Sequence, residues 1–232
     1  MSTPMDAGQF ALQAREELRD VWRTPAFLTA TARHALPVAG AAWFGWPALQ
    51  LAVYFVIESW LMLSLYAATD LSFNPKYGGR APRDLREAVI APLPQFLAAA
   101  GLIGVVVGLF GGVLIVGAFA QDEWVEFLHA GWREPSFLLG LLLLSATCLS
   151  EAVHFAQRIA TRTPAQAQLD DLRIASLFYR VVLLFMVSGA LGLTARFAFA
   201  PVLFAIALGI ILTFFEGLPR SAAALLGLRA AG

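Results

Sequence analysis

Long apolar segments separated by short charged connections constrain this chain more than any other feature. About 20 apolar residues, rising ~1.5 Å each, cross a ~30 Å hydrocarbon core as a helix. Because backbone polar groups in lipid must be satisfied within the segment, such segments predict membrane-spanning helices. Six of them predict an all-α, six-span transmembrane bundle over residues 27–216, at about 27–44, 48–68, 93–120, 137–157, 174–194 and 200–215.

The composition agrees with a chain that is solvated mostly by lipid. Of its 232 residues, 59% are hydrophobic and 14% are charged, whereas soluble domains carry roughly 25% charged residues. The formal net charge is zero, and no dense Lys/Arg run is present, so nothing indicates a nucleic-acid partner. Cys148 is the only cysteine and cannot form an internal disulfide.

Both ends of the chain and one loop are predicted to lie outside the spans. Residues 1–26 combine apolar residues at helical spacing with a charged face, which predicts an amphipathic helix on the membrane surface or on the bundle's own cytoplasmic face, or a simple lead-in. In the loop 121–135, Trp124 and Trp132 at helical intervals predict a short interfacial helix. Residues 217–232 form a predicted cytoplasmic tail.

The distribution of Lys and Arg predicts the orientation. Positive residues accumulate on the cytoplasmic side of membrane proteins. We therefore expect a multi-pass protein of the bacterial inner membrane with both termini in the cytoplasm. Thirteen of the 16 Lys and Arg residues fall on one side of the predicted spans: Arg15, Arg19, Arg23, Arg33, Lys76, Arg80, Arg83, Arg86, Arg158, Arg162, Arg173, Arg220 and Arg229.

The third apolar run is longer than a bilayer core and rich in glycine. It is either one tilted helix or a span plus a re-entrant piece. Gly104, Gly108 and Gly112 repeat at G-x-x-x-G spacing, which lets helix backbones approach closely. This face either packs inside the chain's own bundle or meets a membrane-protein partner or a second copy of the chain.

Ionisable residues inside the spans are the candidate site. Glu58 lies near the middle of the second span, where an ionised carboxylate costs at least ~2.5–3.5 kcal/mol. In the fourth span Glu151 and His154 share one helix face, and Arg180 enters the fifth. Because charges avoid lipid, we expect Glu58, Glu151, His154 and Arg180 to form a cluster open to the cytoplasm.

Several neighbouring ionisable groups are not included in the predicted cluster. Arg33 and His34 enter the first span and Glu216 closes the sixth from the same side. Arg33 and Glu216 are expected to be interfacial. The E-x-x-H of the fourth span, Glu151 to His154, is not repeated in a second span, and no H-x-x-x-H and no hydrolase motif is present. The sequence therefore predicts no metal and no cofactor, and it favours a protein without enzymatic activity over an enzyme.

Two functions remain open for the cluster. It binds or moves a proton, an ion or a small polar ligand, since a midplane carboxylate, a histidine and an arginine are the parts of titrating transporters. Alternatively, Arg180 bridges Glu58 and Glu151 as a buried ion network, and the protein is a non-catalytic structural or assembly component.

The first hairpin resembles a known family. Residues 36–46 read L-P-V-A-G-A-A-W-F-G-W, similar to the L-P-x-x-G-x-x-x-F-G-W hairpin of an uncharacterised bacterial and archaeal family of multi-span membrane proteins, a domain of unknown function. That family continues with Y-W-x-E-N. Its tyrosine and glutamate correspond to Tyr54 and Glu58, with one residue more between them, and Phe55 and Ser59 replace the tryptophan and asparagine. The resemblance implies marked positions for Tyr54, Glu58 and Arg180 and brings no substrate.

Overall fold

The computed structural model describes residues 7–159, 161–163, 166–167, 170–172, 174–175, 179 and 200–225, and no strand occurs among these residues. Two short 3₁₀ helices, Pro75–Tyr77 and Gly131–Arg133, lie in connections. The α-helices are α1 Ala7–Val21, α2 Pro25–Trp43, α3 Ala48–Phe73, α4 Leu85–Ile90, α5 Leu93–Ala118, α6 Gln121–His129, α7 Pro135–Ile159, α8 Ala200–Gly217 and α9 Pro219–Leu225.

Four helices of the described chain are long and apolar enough to cross a membrane: Ala48–Phe73, Leu85–Gly108, Pro135–Ile159 and Ala200–Gly217. The predicted first span corresponds to α2, which is not one of the four because Arg33 and His34 fall in its middle. Most of the predicted fifth span, including Arg180, lies outside the described residues. The all-helical class is confirmed for the described residues, and the count of six spans stays a prediction.

The turn between α2 and α3 is where the sequence predicts it. Gly45 has a φ of 66°, which a residue without Cβ adopts freely, and Pro47 starts α3. The backbone N–H groups of Phe44 and Trp46 both donate to the carbonyl of Gly40. The indole of Trp46 then folds back against Gly40, where no Cβ would fit. The chain reverses at once, so α2 and α3 run antiparallel.

Helix α3 is the centre of the bundle, and 61% of its most apolar 18-residue stretch is buried. Its start lies near the starts of α7 and α8, because Trp46 donates to Ser136 and Pro201 lies at the same cavity as Ala48. Helices α3, α7 and α8 therefore run in the same direction, opposite to α2. Phe55, Leu144 and Leu212, each fully buried, contribute to the core that these helices share.

Helix α5 is a single continuous helix, so the described backbone has no re-entrant break in this run. It packs on α3 at the edge of the bundle. Only 11% of the most apolar 18-residue stretch within Leu85–Gly108 is buried. A Cβ on Gly104 would lie 3.2 Å from Nε1 of Trp60, whereas one on Gly108 would meet nothing within 4 Å among the described residues. The packing around Gly112 lies outside the described residues.

The N-terminal helix α1 packs on the bundle's own end, one of the placements that the sequence left open. Phe10 contacts Phe214 with ring centroids 6.2 Å apart. Glu17, only 8% exposed, accepts hydrogen bonds from the backbone N–H groups of Arg220 and Ser221 at the start of α9. On the opposite end, α6 places Trp124 against Phe127, where the sequence predicts an interfacial helix.

Candidate functional site

Arg33 is the centre of a buried polar cluster in the bundle. It lies in the middle of α2, and its side chain is completely buried. Its Nε donates to Glu58 Oε1 at 2.9 Å and its Nη1 to Glu151 Oε2 at 2.7 Å. Its Nη2 contacts Glu216 Oε1. A guanidinium presents donors on three nitrogens in one plane, so one side chain can hold carboxylates from three directions.

The three carboxylates that contact Arg33 come from three helices that run in the same direction. Glu58 comes from α3, Glu151 from α7 and Glu216 from the last turn of α8, and all three are buried. Four helices thus meet at one charged centre. Removing charge from lipid contact is the physical reason for this convergence, since a buried ion needs partners and hydrogen bonds.

His34 adds a second approach to the same carboxylates. Its Nε2 lies 3.0 Å from Glu58 Oε1 and 3.2 Å from Glu216 Oε2. Its Nδ1 lies 3.0 Å from the hydroxyl oxygen of Thr213 on α8. The side chain is 1% exposed. A nitrogen of the imidazole and two carboxylate oxygens therefore gather at one point beside Arg33.

Two tyrosines of α3 complete the described surroundings. Tyr66 donates to Glu151 Oε1 at 2.8 Å. Tyr54, fully buried, directs its hydroxyl toward the carbonyl of Arg33 at 3.5 Å, a long and weak contact. The aromatic ring of Tyr54 packs between Trp46 and Phe55. Tyr66 holds a carboxylate directly, and Tyr54 shapes the wall next to Arg33.

The structure brings part of the predicted cluster together and changes the rest. Glu58 and Glu151 meet as expected, and Tyr54 lies beside them. His154 is exposed and is not among the described contacts of the cluster. Arg180 lies outside the described residues, so its predicted bridge between Glu58 and Glu151 stays a prediction.

The expectation that Arg33 and Glu216 are interfacial is wrong. Arg33 is 0% exposed and Glu216 is 8% exposed, and both belong to the cluster. His34, which the sequence did not place in the site, is buried with them. The signal was present in the adjacent Arg33-His34 pair, since two ionisable residues inside an apolar segment need internal partners.

A groove reaches the cluster from the side. It has a volume of about 370 Å³ and runs between α2 and α8, with α1 at one end. Its lining is almost entirely apolar, including Phe27, Val38 and Ile206. Thr31, His34 and Thr213 are its polar lining side chains, and His34 also contacts Glu58 and Glu216. The cluster is therefore buried, and His34 is its member that lines the groove.

No family model, no curated protein and no solved structure matches this chain. The resemblance of the first hairpin to an uncharacterised membrane-protein family stays a prediction. What the chain does has to follow from the chemistry of its buried cluster and of the groove beside it.

Proposed function

We propose that this chain is a six-span protein of the bacterial inner membrane with both termini in the cytoplasm. Helices α7 and α8 run in the same direction, so the chain between them has to return across the bundle, and 174–194 is the apolar segment available for that return. Helix α2 supplies a further crossing, since its two ionisable side chains, Arg33 and His34, face the bundle and not lipid. The Lys/Arg distribution supports cytoplasmic termini.

Within this bundle the protein binds a small cation. The observation that supports this proposal is the meeting of His34 Nε2 with carboxylate oxygens of Glu58 and Glu216 beside an accessible groove. Carboxylates and a neutral imidazole are cation ligands, and in a low-dielectric interior their attraction for a cation is much stronger than in water. Arg33 fixes the carboxylates in place.

Binding is better supported than passage across the membrane. Between the cluster and the hairpin end of α3 lie Leu51, Tyr54 and Phe55, and each is fully buried. These side chains fill the interior on that side of Glu58 with apolar atoms. A cation held at the cluster would therefore exchange on the groove side.

The test is the thermal unfolding of the purified full chain in detergent with chloride salts of Na⁺, K⁺, Mg²⁺, Ca²⁺, Mn²⁺ and Zn²⁺, choline keeping the ionic strength constant. A bound cation should raise the unfolding midpoint progressively with its concentration, and the added stability should be about 2.7 kcal/mol at a hundred times its Kd. Glu216→Gln should abolish the shift, and Glu16→Gln, an exposed acid of α1, should keep it. No shift with any cation would contradict the proposal.

A structural role is the second candidate, and Arg33 supports it. One buried guanidinium joins α2 to α3, α7 and α8, which fixes the register of four helices. The decisive variant replaces the charges together, as Arg33→Met with Glu58→Gln, Glu151→Gln and Glu216→Gln. If this fourfold variant folds and rescues the phenotype of a deletion strain, the cluster only holds the helices together. The glycine-rich face of α5 would then be the surface for a partner.

A further inference from the structure

We propose that His34 Nε2 and carboxylate oxygens of Glu58 and Glu216 are the protein ligands of a divalent transition-metal ion. This inference rests on the proposed cation binding and names the class of the ion. The sequence predicted no metal site because no two ligands share a helix at motif spacing. The three ligands come instead from α2, α3 and α8.

The spacing of the three atoms fits a metal centre. His34 Nε2 lies 3.0 Å from Glu58 Oε1 and 3.2 Å from Glu216 Oε2, and one ligand atom from each residue lies within 4.8 Å of the others. On an ion with bonds of about 2.1 Å, two ligands at a right angle are about 3.0 Å apart, and at the tetrahedral angle about 3.4 Å. The two nitrogen–oxygen separations fall within this range.

The direction of the contacts also favours an ion. Although Nε2 of His34 lies close to both carboxylates, neither contact has the direction of a hydrogen bond from Nε2. Two oxygens placed to the sides of the Nε2 lone pair are what cis ligands of one metal require. A donated Nε2 proton would instead point at one oxygen.

A second set of contacts holds the ligands in place. The Thr213 hydroxyl lies 3.0 Å from Nδ1 of His34, so it can accept the Nδ1 proton and leave Nε2 as the metal-binding nitrogen. Arg33 binds the other oxygen of Glu216 and a second lone pair of Glu58 Oε1. Its positive charge lowers the metal affinity, and the two carboxylates it orients offset that repulsion.

The donor set and the groove indicate which ions fit. One imidazole with two carboxylates suits Zn²⁺, Mn²⁺, Fe²⁺ or Co²⁺, whereas Ca²⁺ takes six to eight oxygen ligands and Mg²⁺ keeps most of its water. Three protein ligands leave further coordination positions for water or a small ligand. The groove of about 370 Å³, with His34 and Thr213 at its floor, supplies the access path.

The experiment measures metal stoichiometry on the full chain in detergent. Chelator-stripped protein is equilibrated with Zn²⁺, Mn²⁺ or Co²⁺, separated from free metal and analysed by elemental mass spectrometry, and the visible absorption of Co²⁺ reports on its ligands. We expect about one ion per chain. His34→Gln and Glu216→Gln should lower the affinity at least tenfold, and Thr213→Val about 10- to 100-fold.

A matched variant separates the metal site from other histidines of the chain. His154→Gln removes an exposed histidine that is not a proposed ligand. It should keep the ion. If His34→Gln does not fold, Thr213→Val decides, because it keeps the shape of the side chain and removes the acceptor for Nδ1.

The outcomes separate this inference from the proposed function. Absence of bound transition metal, or full binding by Thr213→Val and His34→Gln, overturns the metal site. If Na⁺ or K⁺ still stabilises the protein in that case, the cation-binding proposal stands without it. If no cation of any class binds, both proposals are wrong.

Discussion

At the scale of single residues, Arg33 organises the interior. Its three nitrogens contact carboxylates of three other helices, and it is completely buried. A lysine would bring one point charge on a flexible stem and could not reach three directions in a plane. Breaking a buried ion pair costs more than replacing it, because the partner charges stay behind in a low-dielectric interior.

Arg33→Met should therefore destabilise the protein by about 3–5 kcal/mol, since Glu58, Glu151 and Glu216 would stay buried without their shared guanidinium. The midpoint of chemical unfolding in detergent measures this loss. Adding Glu151→Gln to Arg33→Met should recover part of it. A midpoint unchanged by Arg33→Met would show that the guanidinium does not hold the helices.

Trp46 is the second residue on which the fold depends. Its indole lies between Gly40 and Gly140, is fixed by a 3.0 Å hydrogen bond from Nε1 to Ser136, and packs against the Phe137 ring. A Cβ on Gly140 would lie 2.5 Å from the Trp46 ring. The ring has no room to move, so added volume is strain.

Gly140→Ala should lower stability by about 1–3 kcal/mol through overpacking. Gly108→Ala is the matched control, because a Cβ there would meet no atom of the described residues within 4 Å. It should leave the thermal midpoint of the monomer unchanged or slightly raise it. Equal effects of the two substitutions would argue against the wedge of Trp46 between α2 and α7.

At the scale of elements, one side chain fastens the N-terminal helix to the bundle. Both carboxylate oxygens of Glu17 accept hydrogen bonds at the first turn of α9: Arg220 N and Ser221 N donate at 2.9 Å each, and the Ser221 hydroxyl donates at 2.6 Å. A carboxylate at a helix N-terminus satisfies backbone N–H groups and interacts favourably with the helix dipole. Helix α1 is therefore held by a specific contact in addition to its apolar face.

Glu17→Ala should release α1 at a local cost of about 1–2 kcal/mol, the size of a lost helix cap. Hydrogen exchange of the amides in α1 and α9 should accelerate, while exchange in α3 should not change. Glu16→Ala, which alters an exposed neighbour, should have no effect. Slow exchange in both variants would mean that Phe10 and its apolar neighbours are sufficient to hold the helix.

At the scale of the whole molecule, the ends of the bundle differ. Helices α1, α4 and α9 lie at the end that carries most of the arginines, and α6 lies at the hairpin end with Trp124 and Trp132. The positive-inside rule predicts that the first end faces the cytoplasm. Cys148 is buried, so a cysteine introduced on either end can report its own accessibility once Cys148 is replaced.

In a Cys148→Ala background, Val125→Cys on α6 should react with a membrane-impermeant maleimide in intact cells with a permeabilised outer membrane. Leu85→Cys on α4 should react only after the cells are lysed. Both positions are well exposed in the structure. The reverse labelling pattern would invert the topology, and labelling of both in intact cells would contradict the membrane-spanning arrangement.

The sequence by itself determined the helical class, the turn after α2, the peripheral helices α1 and α6, and the placement of Glu58 and Glu151 in a polar interior. These follow from local rules, because hydropathy, helical spacing and turn chemistry act over a few residues. Only the tertiary structure showed that Arg33, His34 and Glu216 join the site and that His154 does not. Depth along a helix is readable from sequence, but the direction in which a side chain faces depends on how helices 100 residues apart rotate against one another. That rotation is set by packing around Trp46 and Arg33, and no single segment carries it.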